Sequence, residues 1–305
     1  TFPRDKIDGD GLTHASIKCL EDMGLNADRD FPEAYPIKGF SMYSPNGSFV
    51  KQSAENLIKN YGFSYVYPRI RLDQLLIEHA RSVGVEVKQG VMVCDLKIDK
   101  DQGVEVVGKD KGSDLKEIFK AKLIIGADGV SSIVSKKAGL NPQQMKNEVV
   151  AVRAYFKGIS DLSDFAEAHF LKEILPGYLW IFPMGNGVAN VGLGLFKKSL
   201  NGLPIRGNEL FEKIISTDPH IKERFKNANL VSDVKVWPLG LATLKVKRHG
   251  TRTLLVGDAG AFTDPITGEG VYYALKSGKI AAEVLAKALS KGDFSSDALS
   301  IYEKS

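Results

Sequence analysis

Two aspartates, each placed just after an apolar run, carry the clearest chemistry in this chain. Residues 253–270 read TLLVGDAGAFTDPITGEG. The run Thr253–Val256 has the composition of a buried strand, Gly257 ends it, and Asp258 stands beyond the strand's carboxyl end, where open α/β sheets bind ligands. A carboxylate there can accept charge-assisted hydrogen bonds from sugar-type hydroxyls, and Gly257 and Gly260 let the backbone come close to a ligand. The loop Pro265-Ile266-Thr267-Gly268-Glu269-Gly270 opens a helix expected over 268–290, rich in small residues. Its first amides and the positive end of its dipole suit a group that carries negative charge. An ordinary strand–loop–helix crossover would use the same residues for tightness. The second turn, Gly126-Ala127-Asp128-Gly129, follows Ala121–Ile125, read as a strand buried on both faces of a parallel sheet. A plain left-handed turn is the alternative there.

Three further constellations stand out. Phe2–Leu12 reads FPRDKIDGDGL, with Gly9, Asp10, Gly11 and Leu12 fitting either backbone contact with a flat ring or an Asx turn ahead of a helix. Arg69 precedes a helix carrying Asp73 and Leu76, and serves either a phosphate or flat-ring ligand or the capping of a sheet. Residues 176–194 read PGYLWIFPMGNGVANVGLG. Tyr178, Trp180 and Phe182 alternate on one strand face, Pro183 ends the strand, and Gly192 and Gly194 lie on the returning strand. That wall lines a channel for a long apolar ligand or packs against the core.

The motifs together resemble one family. GDA…P-x-T-GEG is similar to the second FAD signature shared by flavin hydroxylases and geranylgeranyl reductases. The resemblance implies that Asp258 meets the ribityl chain and that Pro265, Gly268 and Gly270 lie against the isoalloxazine, with Gly257, Thr267 and Glu269 also in the cofactor site. LIIGADGVSSIV (123–134) resembles the family's middle motif and implies that Gly126, Asp128 and Gly129 lie near FAD. Ser132 and Val134 match, whereas Ser131 and Ser135 stand where basic residues often hold the NADPH phosphate. FPRDKIDGDGL resembles an element that folds over the flavin, with Asp8 in place of the family's cysteine. R-x-x-x-D-x-x-L matches at Arg69 and Asp73. The pattern (Y/F)-x-W-x-F-P followed by G-x-G resembles the substrate-pocket signature of geranylgeranyl reductases. It implies an isoprenoid substrate whose C=C bonds take hydride from reduced flavin. The electron donor would be NAD(P)H or a reduced ferredoxin. His14, His79, His169, His220 and His249 sit in ordinary contexts, and no catalytic acid is assigned.

The elements that must position these residues fall into two classes. Helices are expected over 12–24, 71–83 and 208–227. Antiparallel strands are expected within 38–52, 63–67, 147–157, 167–196 and 232–238, and parallel-type strands near 85, 123 and 254. The fold class is α/β (α+β overall). A doubly wound FAD-binding domain (1–36, 68–146 and 240–305), read as lacking its first βαβ unit because no G-x-G-x-x-G is present, is interrupted by an antiparallel β-rich substrate domain (37–67 and 147–239).

Composition agrees with this reading. In 305 residues, 43% are hydrophobic and 26% charged, and a net charge of +4 with scattered basic residues argues against a nucleic-acid partner. No apolar run is long enough to cross a bilayer. Cys19 and Cys94 form no metal or redox spacing, which points to a reducing, cytoplasmic setting. An isoprenoid lipid substrate adds peripheral membrane contact to the expectation. Two other readings stay open: a flavin monooxygenase or halogenase on the same fold, and a catalytically silent fragment that binds apolar ligands.

Overall fold

The computed structural model describes residues 1–140, 149–196, 207–242 and 246–304. The chain packs as two units: Phe2–Gly84 with Asn147–Pro238, and Val85–Lys146 with Leu239–Ser305. Segments 2–36 and 68–84, placed by motif with the cofactor-binding domain, pack in the unit that holds the antiparallel sheet.

That unit is built on an eight-stranded sheet. Its order is Asn229–Leu230, Val149–Lys157, Val188–Phe196, Tyr178–Pro183, Phe165–His169, Gly39–Tyr43 and Phe49–Ser53, with Lys235–Leu239 also paired to Val149–Lys157. Along that order Phe165–His169 runs parallel to Gly39–Tyr43, and the other neighbouring pairs are antiparallel. Residues 147 and 148 of the expected strand 147–157 lie outside the described residues. Because side chains alternate across a strand, the sequence paints two different faces. Val152, Ala154, Leu179, Ile181, Val191 and Leu193 point one way and are fully buried. The helix Gly207–Thr217 closes this face with Leu210, Phe211 and Ile214, spaced to share one helical stripe. Each such aliphatic side chain contributes about 1.5–3 kcal/mol on burial, so this layer is the core. The opposite face carries Arg153, Tyr155, Asn190, Gly192, Trp180 and Phe182.

A smaller sheet, ordered Gly11–Leu12, Ser64–Val66, Tyr35–Ile37, lies in the same unit. The helix His14–Asp22 starts at Thr13, whose hydroxyl accepts from the Ser16 amide at 3.2 Å. The helix Arg69–Ser82 departs from expectation. Leu72, Leu75, Leu76, Ala80 and Val83 are spaced to share one helical face, yet only Leu72 of them is buried, and the helix instead buries Arg69 and Asp73. A short helix, Glu55–Tyr61, has no buried residue and so no apolar periodicity to announce it.

The other unit contains a meander, Val91–Asp99, Gly103–Asp110 and Lys116–Ala121, and a three-stranded sheet ordered His249–Gly250, Thr253–Leu255, Ile124–Gly126. Thr253–Leu255 and Ile124–Gly126 pair in parallel. Two expectations fail here. Residues 85–88 form no strand, and Val85 is half exposed with nothing to pair it. Ala121–Ile125 is not one buried strand: the meander ends at Ala121, and Ile124–Gly126 is an edge strand of its sheet among the described residues, which leaves Ile125 45% exposed. Leu254 is fully buried under the helix Val271–Lys291, with Ala281, Val284, Leu285 and Tyr302 around it. No helix among the described residues is long and apolar enough to cross a membrane.

Candidate cofactor and substrate site

In the parallel-strand unit, Leu255 lies opposite Gly126, so both Gly-Asp turns leave the carboxyl ends of neighbouring strands. Asp128 is engaged locally. Its carboxylate accepts from the Ile133 and Val134 amides at 2.7 and 3.2 Å and from the Ser132 hydroxyl at 2.5 Å, capping the helix Ile133–Lys137. Gly129 makes the intervening turn with φ 77°. Asp258 is half-buried and accepts from the Thr263 hydroxyl at 3.0 Å. The Gly257 amide donates to Ser277 Oγ at 3.0 Å, drawing the helix Val271–Lys291 onto the turn.

The loop between them is shaped by a residue the motif reading passed over. Asp264 Oδ1 accepts from the Ile266 amide at 3.0 Å, the Thr267 amide at 2.7 Å and the Thr267 hydroxyl at 2.8 Å. Partial burial pushes its carboxyl up, but these bonds outweigh burial and hold it below the ordinary value. Pro265, Thr267 and Gly268 are exposed, and Glu269 and Gly270 are half-buried. Gly270 caps the 21-residue helix with no side-chain hydrogen bond. An acceptor for hydroxyls, a loop already shaped, and a helix start without a side-chain cap together fit the ribityl and ring half of FAD.

The antiparallel unit holds a different kind of site, a buried polar network. Asp10 is almost fully buried in the left-handed region, φ 55°. Its Oδ1 accepts from the Arg69 amide at 3.0 Å, and its Oδ2 from the Tyr155 hydroxyl at 2.6 Å and Asn190 Nδ2 at 2.8 Å. Burial and the neighbouring Asp8 carboxylate push Asp10 up to about 7, against the pull of Tyr155, Arg153 and Asn190. Arg69 is buried and grips Asp73 at 2.7 Å and Asp8 as well. Its guanidinium is thus committed to the chain itself, and Asp8, at the family's cysteine position, has become its partner. Arg153 is fully buried. Its Nη2 donates to Asp5 at 2.7 Å, and its guanidinium lies over the Tyr155 ring at 4.4 Å. Its Nε and Nη1 have no hydrogen-bond partner among the described residues. Burial pushes Asp5 up, but the bonds from Lys235 and Arg153 bring it below the usual value.

The aromatic strand joins this network. Tyr178, Trp180 and Phe182 follow one another at centroid spacings of 6.3 Å, and Pro183 is buried at the strand's end. Trp180 lies opposite Gly192 and Tyr178 opposite Gly194. A Cβ on Gly192 would lie 2.2 Å from the Trp180 ring and 2.3 Å from the Val152 carbonyl, so the indole needs a glycine beneath it. Gly194 has open space instead. Across the loop, a Cβ on Gly9 would lie 2.8 Å from the Phe182 ring, and Gly11 stands above the same ring. The loop and the aromatic wall are therefore packed together, while Leu12 is fully buried. Trp180 Nε1 donates to Asn190 Oδ1 at 2.8 Å. Asn190, Tyr155, Arg153, Asp5 and Asp264 were missed from sequence. Asn190 alone left a signal, since it shares the two-residue spacing of Gly192 and Gly194 and so must share their face.

Comparison with known proteins places the chain in a family. A model of the FAD binding domain matches residues 4–305. A digeranylgeranylglycerophospholipid reductase from Methanosarcina acetivorans is 34% identical over 274 residues, 88% of this chain and 64% of that protein. Its counterpart from Methanocella arvoryzae is 30% identical over 296 residues, covering 94% of this chain and 72% of the relative. This chain thus spans about two thirds of the length of these relatives. Among solved structures, a geranylgeranyl bacteriochlorophyll reductase-like protein from Thermoplasma acidophilum superposes with a TM-score of 0.82 at 24% identity, covering 99% of this chain and 74% of that one. The flavin-dependent halogenase CmlS also reaches 0.82, at 20% identity, with 100% of this chain and 55% of the halogenase covered, which speaks to the fold alone. The mixed α/β chain belongs to the FAD-binding-domain family and, within it, to the geranylgeranyl reductase family of FAD-dependent oxidoreductases.

Proposed function

We propose that this chain carries the flavin-ring and substrate halves of an FAD-dependent reductase that saturates C=C bonds of a geranylgeranyl-type lipid. The observation that carries the reading is the indole of Trp180 seated on Gly192 in a row of three aromatic rings, with the Gly9–Gly11 loop packed on Phe182. FAD, when bound and reduced, supplies the hydride. The chain's own residues do the rest. Asp258 would accept from ribityl hydroxyls, the amides at the helix start after Gly270 would favour negative charge on the ring, and Thr267, Gly268 and Glu269 would complete the loop that holds it. The turns at Gly126, Asp128 and Gly129 border the same cofactor. Tyr178, Trp180 and Phe182 offer an apolar wall to a prenyl chain and keep water from it.

Peripheral membrane contact belongs to the same reading and is supported by the hairpin Gly39–Tyr43/Phe49–Ser53, which leaves Phe49 and Val50 61% and 62% exposed. The electron donor is NAD(P)H or a reduced ferredoxin, and bleaching of the oxidised flavin band by each separates the two. The decisive test gives the full-length protein, reduced chemically without oxygen, a digeranylgeranylglycerophospholipid. Mass spectrometry should show hydrogen uptake across the prenyl double bonds. No hydrogen uptake there, together with a hydroxylated or halogenated product once the same reduced protein is given oxygen, would overturn the reading.

A further inference from the structure

The buried amide of Asn190 has every hydrogen-bonding group of its side chain in use. Its two N–H groups go to the Asp8 carbonyl at 3.0 Å and Asp10 Oδ2 at 2.8 Å, and its oxygen takes the indole N–H of Trp180 at 2.8 Å. The amide can face only one way. Turned over, it would set an N–H against the indole N–H and a carbonyl oxygen against a carboxylate. Asp10 thereby connects at one end to the start of the helix Arg69–Ser82 and at the other, through Asn190, to the Trp180 ring.

We propose that Asn190 is a positioning residue that ties the Trp180 indole to Asp10, so that the setting of the ring follows the charge of the glycine loop. With Asp10 ionised, its oxygens take all three donors and the amide is held taut. With Asp10 protonated, one oxygen must give a hydrogen away, and the bond to Asn190 or Tyr155 slackens. The charged and titratable groups around Asp10 are Asp8 and Asp5 from its own loop, Arg69 and Asp73 from the helix, and Arg153 and Tyr155 from the strand Val149–Lys157. Arg69 pairs with Asp8 and Asp73, while Arg153, joined by Lys235 from the strand Lys235–Leu239, pairs with Asp5. Burial and Asp8 set the change at Asp10 near pH 7. The proposal rests on the functional reading only in taking Trp180 to border the substrate. The relay itself needs no cofactor.

The test therefore uses this chain without flavin. Trp237 is exposed, and Trp237→Phe leaves Trp180 as the sole reporter. Its emission should titrate with a midpoint about 7. Asp10→Asn should abolish the titration. Tyr155→Phe removes a bond that stabilises the carboxylate and should move the midpoint up by roughly one pH unit. Asn190→Ala should abolish the pH response of Trp180 and raise its quenching by acrylamide several-fold. An Asn190→Ala chain that folds and keeps the parent's midpoint and amplitude overturns the proposal. Should that variant not fold, unchanged titrations in both Asp10→Asn and Tyr155→Phe overturn it equally. None of these outcomes depends on which reaction the protein catalyses.

Discussion

Asp264 and Asp10 are both turn aspartates in glycine-containing loops, yet the structure uses them in opposite ways. Asp264 accepts only from residues two and three positions ahead, on a loop open to solvent. Asp10 accepts from residues 59, 145 and 180 positions away, in the interior. Water competes for the first set of bonds and hardly at all for the second. The same carboxylate is therefore a local shaping device in one place and a long-range constraint in the other. A local device holds a loop ready for a ligand at little cost when altered. A buried network fixes one arrangement and is costly to break, because each lost partner leaves a desolvated group behind.

The largest effect expected from this contrast is at Arg69. Arg69→Ala leaves Asp73 buried and Asp8 without its guanidinium. Losing one member of a buried charged cluster costs about 3–5 kcal/mol. Urea unfolding should show that loss, and a midpoint within error of the parent's would mean that the cluster is solvated and the contrast false.

The same contrast explains what could be read from sequence. The Gly257-Asp258 and Gly126-Asp128 turns were legible because strand, turn and helix start are contiguous in the chain, so spacing alone places them. The aromatic row was legible because Tyr178, Trp180 and Phe182 keep a two-residue period, and Gly192 and Gly194 answer them on the next strand. Asn190 belonged to that period but looked like an ordinary strand residue. Arg153 and Tyr155 gave no sign, since nothing near them in sequence says that Asp5 and Asp10 fold onto their strand. The strand expected at 85–88 failed for a related reason. Alternation of valine with charge marks a strand only where a neighbour accepts its hydrogen bonds, and none is present there among the described residues.

A second prediction concerns pH. The folded-state value of Asp10 lies above its ordinary 3.8, at about 7. Between those values the native chain binds the proton more tightly than the unfolded chain does. Stability therefore falls as pH rises from about 4 to about 7 and levels off beyond it, by on the order of 2–4 kcal/mol. Asp10→Asn removes this slope. The stability of the variant minus that of the parent should climb through the same window and then stay flat. Histidine titrations are common to both chains and cancel in the difference. A difference that does not change with pH would place the Asp10 carboxylate in contact with water.

The smallest effect on folding is expected at Asp264, and it tests the other side of the comparison. Asp264→Ala removes three bonds from an exposed loop, where the unfolded chain and water replace most of what is lost. Stability should fall by less than about 1 kcal/mol, as for surface changes of this kind. Flavin affinity should fall by much more, because the loop before the helix Val271–Lys291 would have to be ordered by the ligand itself. The carboxyl is held below its ordinary value by Thr267 and Ile266. Its shaping of the loop is thus complete above the ordinary carboxylate range and is lost as pH falls through the folded-state value. Flavin titration and thermal melting of the same variant in the full-length protein give both readings. A variant that binds flavin normally would show that the loop's shape matters only to itself. One that unfolds as readily as Arg69→Ala would show that local bonds at the surface carry as much as the buried network.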